Sequence, residues 1–415
     1  MFNKTFFLMA IIAALLSKVK VSWADSVLTW QDCVIIAEKN NPEFMTAREK
    51  VRQYEERIKI SQSKLYPQVT ADASTSLTDQ GDKSTSLGLS GRQLVYDGKK
   101  TSYEIKIAEE NLKAAEYDLM IISAGVRYEL QKAFSGLFKA QEYLVLTEEI
   151  IKIREQSLRL VQLRYDAGRE HKGSLLTSQA NLAKAQFDAG HALRNLETSR
   201  YQLLNILGMD AFQNIRVKGS FEFLTDTSIL PDYQKIIEEN PYIWKLVSEK
   251  ISAEHEVSAT KADYYPDIYA SVSAKRNDNS LSSNNDFSAG LSVSMPLFDG
   301  GLRKAELSSA QSAVKQKEAD LNMTQNDILL SLVSSWNGLQ DAISGLSVQG
   351  KYLQASEERA KIAEAQYESG LISFDTWTII EDELVTNKKK YLDAKTDILL
   401  SEANWLYAKG VQINQ

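Results

Sequence analysis

Two stretches of this chain rule out an ordinary globular fold. Residues 99–167 and 301–369 each run for 69 positions without a proline, bracketed by Gly98 and Gly168, then by Gly300 and Gly370. A helix rises about 1.5 Å per residue, so each stretch, if helical, reaches roughly 100 Å. Globular helices average about a dozen residues, so helices this long need a special architecture. Each stretch opens after an aromatic-Asp-Gly signal, Tyr96-Asp97-Gly98 and Phe298-Asp299-Gly300. Each closes on Tyr-x-x-Gly: Tyr165-Asp166-Ala167-Gly168 and Tyr367-Glu368-Ser369-Gly370.

The apolar pattern supports helices. In the first stretch a seam reads Ile105, Ala108, Leu112, Ala115, Leu119, Ile122, Val126, Leu130, Ala133, Leu137, Ala140, Leu144. The steps alternate between three and four residues, with one local break after Val126, as in a coiled coil. The same register returns 202 residues later as Leu307, Ala310, Val314, Lys317, Leu321, Thr324, Ile328, Leu332, Ser335, Leu339, Ala342, Leu346, with polar residues at Lys317, Thr324 and Ser335. Taken alone, the seam also fits a plain solvent-exposed coiled coil.

Composition narrows the class. At 43% apolar and 25% charged, the chain suits a folded protein. The first 24 residues hold Lys4, Lys18 and Lys20 and no acid, so their removal takes the net charge from −7 to −10. An acidic mature chain argues against a nucleic-acid partner. The single cysteine, Cys33, excludes an intrachain disulfide. His171, His191 and His255 are too far apart for a metal site, and neither a metal nor a cofactor is expected.

The N-terminus reads as a secretory signal peptide, residues 1–24: Lys4, then an apolar run from Phe6 to Leu16, then Ser22-Trp23-Ala24 before the cut. The run is too short to span a bilayer. Trp30-Gln31-Asp32 before Cys33 is not a lipidation box. No other apolar stretch approaches the length of a transmembrane helix.

Along the chain the same order occurs twice, with a period near 200 residues. The first copy, 25–208, has helices over 29–64, interrupted at Asn41-Pro42 and stopped at Tyr66-Pro67. A strand hairpin follows over 68–95, turning at Asp79 to Lys83, and then a helical hairpin over 98–208. Ser174 is a candidate cap for its returning helix, and Gly208 is the stop. Residues 209–230 read as a linker. The second copy, 231–410, has helices over 231–264 around Asn240-Pro241, a strand hairpin over 267–297 after Tyr265-Pro266, and a helical hairpin over 300–410, whose return starts at Ser373. Residues 411–415 are a tail.

In the hairpins the apolar period changes from 3.6 to 2. Leu87, Leu89, Ala270, Val272, Leu291 and Val293 alternate with Ser86, Ser90, Ser271, Ser273, Ser292 and Ser294. Strands near ten residues are long enough to cross a membrane within a barrel, although two soluble hairpins on a core would show the same alternation. A membrane barrel keeps no open edges, and four strands fall short of the eight that close one. If these strands cross a membrane, several chains share one barrel.

The whole constellation resembles the TolC-like outer-membrane efflux protein family. The residues that carry the resemblance are Asn41-Pro42, Tyr66-Pro67, Leu94-Val95-Tyr96-Asp97-Gly98 and Arg164-Tyr165-Asp166-Ala167-Gly168. Their repeats are Asn240-Pro241, Tyr265-Pro266, Pro296-Leu297-Phe298-Asp299-Gly300 and Gln366-Tyr367-Glu368-Ser369-Gly370. The resemblance implies a mainly α fold with a small β part. Three chains would share a twelve-stranded outer-membrane barrel and a periplasmic tunnel of coiled-coil helices. It implies a homotrimer in outer-membrane lipid that acts as a passive exit duct, joined by a periplasmic adaptor to an inner-membrane transporter. The glycine turns would then form an adaptor-docking tip at Ala167, Gly168, Arg169, Ser369, Gly370 and Leu371.

Well-known members close that tip with acidic rings six residues beyond the turn glycine, where this chain has Ser174 and Thr376. Candidates for an aperture are Tyr165, Tyr367, Asp375, Glu381 and Asp382. Tyr367 matches a family tyrosine that ties the tip shut. Asp375 would equally serve the dipole of the helix that Ser373 begins. No catalytic constellation is present at a recognisable spacing, so an enzyme is not expected. The competing expectation is a periplasmic coiled-coil scaffold without a barrel.

Overall fold

The computed structural model describes residues 26–77, 83–210, 213–222, 225–279 and 283–414. The expected signal peptide, nearly all of the first hairpin's turn and Gln415 lie outside the described residues. Mostly helical with a small strand part, the chain has the expected fold class.

The helices are α1 (Trp30–Asn40), α2 (Pro42–Ser63), α3 (Lys100–Asp166), α4 (Lys172–Leu207), α5 (Tyr233–Glu238), α6 (Pro241–Ala262), α7 (Leu302–Glu368) and α8 (Phe374–Ala408). The strands are β1 (Ser26–Leu28), β2 (Gln68–Leu77), β3 (Lys83–Tyr96), β4 (Ile215–Val217), β5 (Asp267–Asn279) and β6 (Ser283–Ser294). Helices α3 and α7 are each 67 residues long. Every seam position named above, in both helices, is buried or half-buried. Two of the three polar seam residues have partners. Lys317 Nζ lies 2.6 Å from Glu249 Oε2, and the Ser335 hydroxyl donates to the Leu332 carbonyl at 3.2 Å.

The repeated dipeptides are helix starts. Asn41 and Asn240 cap α2 and α6, accepting from the Phe44 and Tyr242 N–H groups, with Pro42 and Pro241 in the first turn. Proline suits that position because its missing N–H would have no partner there. The aromatic-Asp-Gly signals start the long helices. Asp97 Oδ2 accepts from the Thr101 N–H at 2.7 Å, and Asp299 accepts from the Gly301 and Arg303 N–H groups. These carboxylates satisfy donors that a first turn leaves open and sit at the positive end of the helix dipole.

The chain divides into two compact units. One gathers residues to Ala37, Lys132–Glu222 and Ser347–Thr396; the other gathers Glu38–Gln131, Phe223–Leu346 and Asp397–Gln415. The first contains an element the sequence did not reveal. β1 pairs in parallel with β4, Val27 opposite Arg216, inside the stretch expected to be only a linker. The Gln141 side chain fixes this strand by accepting from the Val217 N–H and donating to its carbonyl. Trp30 packs edge-on against Phe134, ring centres 5.7 Å apart. The first unit also holds the turns that end α3 and α7.

The second unit has a core where α5, α6, α7 and α8 meet, with Leu332 and Leu339 fully buried and Trp336 stacked obliquely on Trp405 at 5.1 Å. Such an aromatic pair contributes about 0.5–1.5 kcal/mol beyond its burial. Its sheet has the antiparallel order β2-β3-β5-β6. Thr70, Ser90, Ser273 and Ser288 form one cross-strand row, with hydroxyl pairs at 2.7 and 2.8 Å. Ala71, Leu89, Ala274 and Phe287 form the next row, on the opposite face. Register therefore gathers most of the apolar residues of the four strands on one face and most of the hydroxyls on the other. The outer edges of β2 and β6 have no neighbour among the described residues. No described helix is long and apolar enough to cross a membrane.

Candidate functional site

The two Tyr-x-x-Gly turns share one construction. In the first, Gly168 N–H donates to the Tyr165 carbonyl at 2.9 Å and Arg169 N–H to the Arg164 carbonyl at 2.8 Å. In the second, Gly370 donates to Tyr367 at 3.0 Å and Leu371 to Gln366 at 2.8 Å. This pair of bonds is the Schellman motif, which requires a left-handed residue just past the helix. Gly168 and Gly370 fill that role at φ +69° and +79°. Ala167, Gly168, Arg169, Ser369, Gly370 and Leu371 are all exposed, and Leu371 presents 75% of its surface.

Arg164 ties one turn to the other. Its Nη1 donates to the Tyr367 carbonyl at 2.5 Å, and its guanidinium lies 4.6 Å from the centre of the Tyr367 ring. Tyr367 is 1% exposed. Its ring stacks on Trp377 at 4.4 Å, and its hydroxyl donates to Glu170 Oε2 at 2.8 Å. Glu170 also accepts from the Ser174 hydroxyl and the His171 N–H. Burial alone raises the Glu170 pKa, but the bonds from Tyr367, Ser174 and His171 together outweigh it and hold the carboxylate below its ordinary value. Burial, then the hydrogen bond to Glu170 and its charge, push the Tyr367 hydroxyl up, so it stays protonated as a donor. The returning helix α4 is capped by the His171 side chain, which accepts from Ser174 N–H; Ser174 itself is not the cap. Ser373 does cap α8, accepting from Thr376 N–H at 3.3 Å.

The aperture candidates fall into separate groups. Tyr165 and Tyr367 belong to one apolar cluster with Val161, Leu175, Phe374 and Trp377. Glu381 and Asp382 meet at Arg154, whose Nη1 donates to Glu381 Oε2 at 2.5 Å and whose Nη2 reaches Asp382. Ser157 donates its hydroxyl to Glu381. Glu381 is 7% exposed; its burial raises its pKa, which Arg154 and Ser157 only partly offset. Asp375 stands exposed in the first turn of α8, apart from both groups. Arg154, Ser157 and Glu170 were not foreseen, and Arg164 was named only as part of a turn motif, without its partners. Their partners lie 197 to 228 residues away in sequence, where no local spacing points to them.

Comparisons with known proteins give the family. The family model "Outer membrane efflux protein" matches residues 35–209 and 233–408. The outer membrane efflux protein BepC of Brucella suis biovar 1 is 20% identical over 338 residues, 79% of this chain and 74% of that protein. The outer membrane protein TolC of Vibrio cholerae is 21% identical over 404 residues, 91% of this chain and 90% of its own. The crystal structure of the Campylobacter jejuni CmeC outer membrane channel superposes with a TM-score of 0.81 at 16% identity, covering 92% of this chain and 85% of that one. With both copies matched, the chain belongs to the outer membrane efflux protein family, and its place is the outer membrane.

Proposed function

We propose that the protein is a passive exit duct and not an enzyme. As a homotrimer it would carry substrates across the periplasm and the outer membrane, joined by a periplasmic adaptor to an inner-membrane transporter that supplies the energy. The observation that carries this reading is the sheet: four strands, one largely apolar face, one hydroxyl-rich face and two edges unpaired among the described residues. Lipid does not tolerate an open edge, and three copies would join edge to edge into twelve strands. In this reading the copies 25–208 and 231–410, joined through 209–230, each supply one strand hairpin and one helical hairpin. Ala167, Gly168, Arg169, Ser369, Gly370 and Leu371 dock the adaptor. Tyr165, Tyr367, Asp375, Glu381 and Asp382 shape the aperture.

The test is Gly370→Trp. A Cβ at Gly370 lies 3.8 Å from Arg164 Nη2 and meets nothing closer, but φ is +79°. A left-handed side-chain residue costs about 1–2 kcal/mol, too little to prevent assembly. Trimers should therefore reach the outer membrane while export and adaptor crosslinking are lost. Normal export by Gly370→Trp would move the docking surface elsewhere. Recovery of the wild-type chain in the soluble periplasmic fraction alone would reject the duct.

A further inference from the structure

The apolar face of the sheet is not smooth. Leu89, Ala274 and Phe287 stand side by side on β3, β5 and β6, and Leu87, Arg276 and Asn285 form the neighbouring row. The small Ala274 between larger residues is the floor of a trough of about 560 Å³. Its walls, Leu87, Leu89 and Phe287, are 53%, 54% and 75% exposed. Arg276 lies two residues further along β5, on the same face, about 7 Å beyond Ala274. A cation on the lipid side of a barrel costs about 2–4 kcal/mol at mid-membrane and about 0–1 near the interface, so Arg276 belongs at headgroup level. The sheet end at Arg276 is the β5–β6 connection, opposite the end where strands join helices. A lipid in the outer leaflet has the same polarity, headgroup toward the connection and chains toward mid-membrane.

We propose that this trough holds one phosphate-bearing lipid of the outer leaflet. An acyl chain lies on Ala274 between Leu87, Leu89 and Phe287, and the phosphate accepts from Arg276. The site rests on the duct reading, which turns this face to lipid. Arg276 contacts the Asp278 carboxylate through Nε at 3.1 Å. A guanidinium carries five donors, so a second anion can share it, with Asp278 as competitor.

Trimers passed through micelles containing phosphatidylglycerol should retain about one such lipid per chain, read by native mass spectrometry. Arg276→Gln should weaken retention about tenfold, the size of a lost charge-assisted bond. Ala274→Leu, which fills the floor, should do the same, and Asp278→Asn should tighten retention. Diacylglycerol (chains without phosphate) and inorganic phosphate (no chains) should not be retained. Equal retention by wild type and Arg276→Gln, or of diacylglycerol and phosphatidylglycerol, would overturn the site and leave the duct standing. A wild-type chain that forms no membrane trimers would remove both.

Discussion

Lys99 sits at φ +73°, the one non-glycine residue in the left-handed region among the described residues. Its counterpart in the second copy is Gly301, at φ +92°. A side chain there costs about 1–2 kcal/mol, against about 0.5–1 kcal/mol for the extra freedom of glycine in the unfolded chain. Lys99→Gly should therefore stabilise the protein by about 0.5–1 kcal/mol, read as a higher midpoint of thermal unfolding; a lower midpoint would refute the strain. The preceding residue behaves differently in the two copies. A Cβ at Gly98 would come within 2.7 Å of Tyr265 Cβ and 3.0 Å of the Ala262 carbonyl, whereas Gly300 opens onto free space. Gly98→Ala should accordingly cost more than Gly300→Ala. At this scale the sequence was legible wherever a residue type has one conformational use. The glycines at 168, 208 and 370 each terminate a helix, and the Asn-Pro pairs each begin one. Lys99 was not legible, because lysine carries no signal for positive φ. The His171 cap was hidden because serine is the commoner capping residue.

At the scale of the element, two carboxylates have environments that act in opposite directions: Glu170 links the turns that end α3 and α7 through Tyr367, and Glu381 links α8 to α3 at Arg154. Glu170 is depressed below its ordinary value of 4.5. Its contribution to stability is complete above that value and is lost as pH falls through the lower, folded one. Glu381 is raised, so stability falls as pH rises from 4.5 through its folded value, and acidification toward 4.5 restores it. Mild acid should therefore tighten the neighbourhood of Arg154, while only stronger acid, below 4.5, loosens the contact between Tyr367 and Glu170. Hydrogen exchange of the helix amides around Arg154 and Glu381, and of the amides in the two turns, checks this. Glu170→Gln should abolish the loss in strong acid and leave the gain in mild acid; an unchanged acid profile in Glu170→Gln would reject the assignment. The helices themselves were visible from proline absence and seam spacing. The bonds between them were not, since periodicity shows which face is buried and not what it meets. β1 and β4 escaped notice because three-residue strands are too short to show alternation, and their partners lie some 189 residues apart.

At the scale of the whole molecule, strand register turns an alternating sequence into a two-faced wall. Leu291 lies opposite Ala270 on the apolar face, and the adjacent Ser292 lies opposite Tyr269 on the hydroxyl face. Leu291 is 74% exposed in a single chain, an apolar exposure that water would disfavour and lipid would not. The two positions are neighbours on one strand, so their arginine variants share charge, volume and strand propensity. In the proposed duct they differ in the medium each face meets. On the lipid face, toward mid-membrane, arginine costs about 2–4 kcal/mol, while a hydroxyl-lined lumen hydrates it. Each trimer would bear that cost in all of its copies, which makes assembly a sensitive reporter. Leu291→Arg should deplete outer-membrane trimers sharply, and Ser292→Arg should leave their yield near wild type while altering conductance in planar bilayers. Equal yields from the two variants would mean that both faces meet the same medium. The unpaired edges of β2 and β6 would then need a partner other than neighbouring copies in a membrane.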